Sequence, residues 1–117
     1  MRQEIENRLI ELAKSIEKLT RSLDKSMYSE NLKNQIIRAS TSAALNYEEA
    51  QSAESKNDFI HKTSIVLKEL RETLISLKLL SSVMKADRET QMLACQDECN
   101  QLIAIFHKTI MTAKTKK

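Results

Sequence analysis

A chain of 117 residues with no glycine and no proline fits one domain and excludes phosphate-cradling glycine loops, the usual hairpin turns and any helix breaker. Aromatic residues make up only 3% and tryptophan is absent, so Leu, Ile, Ala and Met must fill the core, as helix-on-helix packing allows. The net charge of +3 is accounted for by Lys114, Lys116 and Lys117 at the end of the chain, which leaves the body neutral.

The first segment alternates charged with apolar residues, so it reads as neither a signal peptide nor a membrane span, and a cytoplasmic location is expected. From Ile5, the apolar positions Leu9, Leu12, Ile16, Leu19 and Leu23 follow at spacings of three and four, which predicts a first helix over about 2–25. Ser26 to Ser29 supplies a break, with Ser29 as the expected N-cap of a second helix over about 29–53 and Glu30 in its first turn.

Ser55-Lys56-Asn57-Asp58 has the form of a capping box and starts a third helix over about 56–84. Its core-facing positions Phe59, Ile60, Thr63, Val66, Leu67, Leu70, Leu74 and Leu77 form a broad stripe, and Ile75, Leu79, Leu80 and Val83 carry it around the helix. A second contact surface is expected there. Asp87 is the expected cap of a fourth helix over about 88–112, with a face of Met92, Cys95, Cys99, Leu102, Phe106 and Ile110 and a basic tail over 113–117. Four helices joined by short turns predict a single all-α domain, an antiparallel up-down-up-down four-helix bundle.

On the second helix Gln35, Arg38, Ser42, Asn46 and Glu49 share one face, flanked by Ala39, Ala43 and Ala50. Such a row is either a solvated face or a polar network that fixes register between helices or subunits. With Glu72 on the third helix, these residues form the expected structural network, and Arg38 is expected to pair with Glu49 or Glu72.

At these positions the chain resembles the four-helix-bundle proteins named for the 23S ribosomal RNA intervening sequence. Gln35, Arg38, Ala39, Ser42, Asn46 and Glu49 match one part of the family pattern, Ser55, Asp58 and Phe59 a second, and Glu72 a third. Ala44, Ala50 and Ala53 stand where the family usually has proline, glycine and a basic residue, so the second helix is expected to run on unbroken. The resemblance implies a homo-oligomer, often a ring-shaped homopentamer, with no established enzymatic activity. A related group, the accessory proteins of diversity-generating retroelements, adds nucleic-acid binding on a basic pentameric surface, whereas the body of this chain is far less basic.

Chemistry beyond this is sparse. A di-iron bundle needs two Glu-x-x-His pairs; only Asp58 and His61 come close, and His107 has Ala104 three residues before it. Cys95 and Cys99 share a face but lack zinc-knuckle spacing and read as core. No catalytic residue, metal or cofactor is therefore assigned, and no membrane partner. Between Lys56 and Lys85 the third helix carries six basic residues, Lys56, Lys62, Lys68, Arg71, Lys78 and Lys85, against three acidic ones. These and Lys114, Lys116 and Lys117 are the candidate contacts to RNA or a ribonucleoprotein, against the plainer reading of a solvated helix surface. The expected function is a non-enzymatic oligomeric scaffold; the alternative is a protein-interaction adaptor using Ile75, Leu79 and Val83.

Overall fold

The computed structural model describes residues 2–116. Its helices are α1 (Arg2–Thr20), α2 (Met27–Gln51), α3 (Lys56–Ser81) and α4 (Glu89–Thr115), arranged as an all-α bundle about 50 Å long. Side-chain contacts set the directions. Arg2 at the start of α1 meets Glu48 near the end of α2; Glu49 and Arg38 on α2 meet Lys62 and Glu69 on α3, in reverse order along the two helices; and Lys56 and Leu70 on α3 meet Lys116, just past α4, and Cys99 on α4. Each neighbouring pair is antiparallel.

The core follows the spacing of the apolar residues. Ile5, Leu9, Leu12, Ile16 and Leu19 are buried on α1, and Met92, Cys95, Cys99, Leu102, Phe106 and Ile110 on α4. α2 contributes the small residues Ala39, Ala43 and Ala50, and its packing against α3 is the most extensive in the molecule, while of the neighbouring helix pairs α1 and α4 touch least. Small side chains let two backbones approach closely, so the α2–α3 seam is tight and the α1–α4 seam is loose. α2 passes Ala44 without a break. Both cysteines are free and buried; burial pushes both thiols up, that of Cys99 to about 12.

Several helix ends differ from the sequence reading, among them α3, which ends at Ser81, and α4, which ends at Thr115. α1 stops at Thr20, after which the N–H groups of Arg21, Ser22 and Leu23 bond three residues back. This tighter turn keeps Leu23 against the core, which is why the apolar spacing runs on past the helix. The cap of α2 is Ser26, not Ser29: Ser26 is extended, with φ −66° and ψ 156°, and its hydroxyl accepts from the Ser29 N–H at 3.1 Å. Asp24 holds that turn by accepting from the Ser26 N–H at 3.0 Å. Ser29 lies inside the helix, buried, with its hydroxyl unpartnered.

Asp87 does not cap α4. Ala86–Arg88 form a single 3₁₀ turn leading into the helix, in which Arg88 N–H bonds the Lys85 carbonyl at 2.9 Å and no side chain caps the end. Ser55 does cap α3, accepting from Asp58 N–H at 3.0 Å, while the Asp58 carboxylate reaches back to Glu54 N–H at 3.3 Å. Of the residues expected to extend the α3 stripe outward, Ile75 and Leu79 are exposed, but Leu80 lies in the core and Val83 packs at its edge. α4 continues through Thr115, so Lys114 sits on its last turn.

Replacing Ser26 by Ala should lower unfolding free energy by about 1 kcal/mol, measured by urea denaturation. Ser29→Ala should leave it unchanged or raise it, because it removes a buried hydroxyl with no partner.

Candidate functional site

The polar row on α2 is only partly interhelical. Gln35, Arg38 and Glu49 are exposed, and Ser42 and Asn46 are half-buried. Asn46 spends its amide on its own helix, donating to the Ser42 carbonyl and hydroxyl at 2.9 and 3.0 Å. Arg38 is the member that crosses. Its Nη1 donates to Glu69 Oε2 at 3.0 Å and its Nη2 to Glu72 Oε2 at 2.7 Å. Glu69 and Glu72 are three apart on α3, so one guanidinium fork spans both. Glu49, the other expected partner of Arg38, instead faces Lys62 at 4.0 Å.

Glu69 is a member of the cluster that the polar row on α2 does not point to. Its side chain is 7% exposed against 52% for Arg38, and its Oε1 is buried without a hydrogen-bond partner. Burial alone would raise the carboxyl. Arg38, which donates to Glu69 and carries the opposite charge, pulls the other way and leaves Glu69 below its ordinary value of 4.5. The cluster can therefore fix how α2 and α3 meet, with the charge cost of burying Glu69 offset by Arg38.

Beside the cluster lies an open groove of about 540 Å³ whose lining includes Leu32, Gln35, Lys68, Arg71, Ile75 and Leu79. Ile75 is 56% and Leu79 44% exposed. Met27 and Tyr28, both exposed, stand at the start of α2, at the same end of the bundle as Leu79.

The basic residues divide by place. Lys68, Arg71 and Lys78 are exposed along α3, and Lys85 is exposed just beyond it. Lys62 is half-buried and held by Asp58 at 3.8 Å. Lys56 and Lys116 come together at the other end, where Lys56 Nζ meets the Lys116 carbonyl; Lys114 is exposed on the last turn of α4, and Lys117 lies outside the described residues. Across the α1–α4 seam, Arg8 makes a two-pronged bridge to Glu98 at 2.9 and 2.8 Å and reaches Gln101 at 3.2 Å. That bridge raises the Arg8 pKa.

Among the described residues no group of three His, Cys, Asp or Glu side chains could hold a metal ion, and no helix is long and apolar enough to cross a membrane.

The model of the 23S rRNA-intervening sequence protein family matches residues 2–108. The chain is also similar to the crystal structure of a protein of unknown function from the S23 ribosomal protein family of Bacteroides thetaiotaomicron VPI-5482. The two share 28% identity over 91% of this chain and 97% of that one, with a TM-score of 0.78. None of the curated proteins matches.

Because its folded pKa is lowered, Glu69 adds stability above its unfolded value of 4.5, and that contribution is lost as pH falls through the folded value. The melting temperature should fall as the pH is taken below 4.5, and less steeply in Glu69→Gln, followed by circular dichroism.

Proposed function

Because the chain belongs to the 23S rRNA-intervening sequence protein family, we propose that it is a non-enzymatic, cytoplasmic, homo-oligomeric scaffold that binds RNA or a ribonucleoprotein through repeated basic surfaces. The observation that carries this reading is the groove between α2 and α3. A monomer leaves Ile75 and Leu79 open to water beside the paired Arg38 and Glu72, with Lys68 and Arg71 at the margin. An apolar strip with a polar, charged rim supports burial against another copy of the chain. Closed cyclic assembly would repeat that contact, and a homopentamer is the ring size the family resemblance favours.

Assembly bears on RNA binding because no single copy carries a strong site. The exposed cations Lys68, Arg71, Lys78 and Lys85 stand along and just beyond one helix, and a ring multiplies them. Several weak phosphate contacts on one rigid body then act together. Most of the aromatic side chains are packed into the other end of the bundle, away from Lys68, Arg71, Lys78 and Lys85. Recognition would thus rest on backbone charge rather than base stacking.

Solution mass by light scattering tests both halves. Wild type should be a stable multiple of the chain mass that gains RNA at low salt and loses it at moderate salt. Leu79→Glu should shift the mass to monomer. Replacing Lys68, Lys78 and Lys85 by Gln should weaken RNA binding and flatten its salt dependence, by about 0.7 in log–log slope for each phosphate of a single strand that is no longer neutralised. A wild-type monomer indifferent to RNA would instead favour a protein-interaction adaptor that uses Ile75, Leu79 and Val83.

A further inference from the structure

The loose α1–α4 seam opens, at the end of the bundle where the α2–α3 turn meets the start of α1 and the close of α4, into a groove of about 820 Å³. Three of the four aromatic residues in the chain, Tyr47, Phe59 and Phe106, line it. Tyr47 and Phe106 are buried and meet edge to face, centroids 5.5 Å apart at 81°, which makes a rigid floor. Ile5, Ile105 and Ala113 add apolar walls.

The rim has the opposite character. Arg2, Arg8, Lys56, Lys108 and Lys116 line the groove against one carboxylate, Glu4. Arg2 and Arg8 are taken up by Glu48 and Glu98. Among the described residues Lys56, Lys108 and Lys116 have no acidic partner within ion-pair distance. Thr63 also lines the groove, 1% exposed, with its hydroxyl unpartnered.

We propose that this groove binds an elongated amphiphilic anion: a long-chain or fused-ring apolar body with one carboxylate, sulfonate or phosphate head. The volume is in the range of small-molecule sites. Burial of the apolar body against Ile5, Phe59 and Ile105 supplies affinity, and the uncompensated lysines select the sign of the head group. The site shares no residue with the α2–α3 groove, so it stands whether or not the chain assembles. Lys56 and Lys116, grouped by sequence with the RNA contacts, here serve a small molecule.

The test is a fluorescence titration of the full chain with 1-anilinonaphthalene-8-sulfonate, a fused-ring sulfonate that brightens in apolar surroundings. Binding should saturate at one dye per chain. Dodecanoate should displace the dye, and dodecyltrimethylammonium, with the same chain length and opposite charge, should not. The double variant Lys56→Gln/Lys108→Gln should weaken the dye about fivefold. Thr112→Trp, at an exposed lining position on α4, should obstruct part of the groove and weaken binding. Displacement by both detergents alike would overturn the proposal. So would displacement by a short single-stranded RNA, or binding unchanged in both variants while their circular dichroism stays native.

Discussion

Burying the Glu69 carboxylate between α2 and α3 is the constraint on which the arrangement of this molecule depends. A charge in that position is tolerated only if something neutralises it, and Arg38, reaching from the solvent edge of α2, does so at 3.0 Å. The same guanidinium holds Glu72, so one residue on α2 is tied to two on α3. Ala39 and Ala43 on α2 let the helices close tightly enough for that reach. A shift of one helical turn would leave Glu69 buried without its cation. Apolar packing alone tolerates such slips more readily, since one leucine resembles the next.

Fixing that register decides what the rest of α2 and α3 presents to water. With Arg38 over Glu69 and Glu72, Ile75 and Leu79 come to lie outward beside Leu32, and Leu70, Leu77 and Leu80 point into the core. The α1–α4 seam buries no such charge: Arg8 and Glu98 both stay partly exposed. Its side chains are larger and its crossing hydrogen bonds among the described residues all come from Arg8. A groove of about 460 Å³ beside Leu12 and Cys95 and the larger one beside Phe106 lie on either side of that clasp. The tight and loose seams are on opposite sides of the bundle, so one can serve assembly while the other stays open to a small molecule.

Much of the fold is legible from the spacing of apolar residues, because in a chain without glycine or proline little competes with helix. The faces of α1 and α4 are those the period of three and four marks. Helix ends are harder to read. Ser26 and Ser29 are equally suitable caps by residue type, and only the extended backbone at Ser26 separates them. Asp87 loses its role to a 3₁₀ turn that satisfies the Arg88 N–H with backbone, a tertiary adjustment that residue type does not signal. Glu69 is hidden in the sequence because Lys68-Glu69 and Arg71-Glu72 look like a mixed-sign surface. The available signal is periodic: Val66, Glu69, Thr73 and Ser76 recur at three, four and three, placing a carboxylate within a buried stripe. Asn46 joins the polar row by position but not by bonding, since an amide on a polar face can bond its own helix as well as a neighbour.

A double-mutant cycle on Arg38 and Glu69, with stability measured by urea denaturation, tests the central claim most directly. Arg38→Met alone should cost about 2 kcal/mol because Glu69 is left buried and uncompensated. Adding Glu69→Met should recover most of that loss, giving a coupling well above about 0.5 kcal/mol. Two additive costs, with no recovery in the double variant, would mean that the α2–α3 register is held by apolar packing and that the ion pair only decorates it.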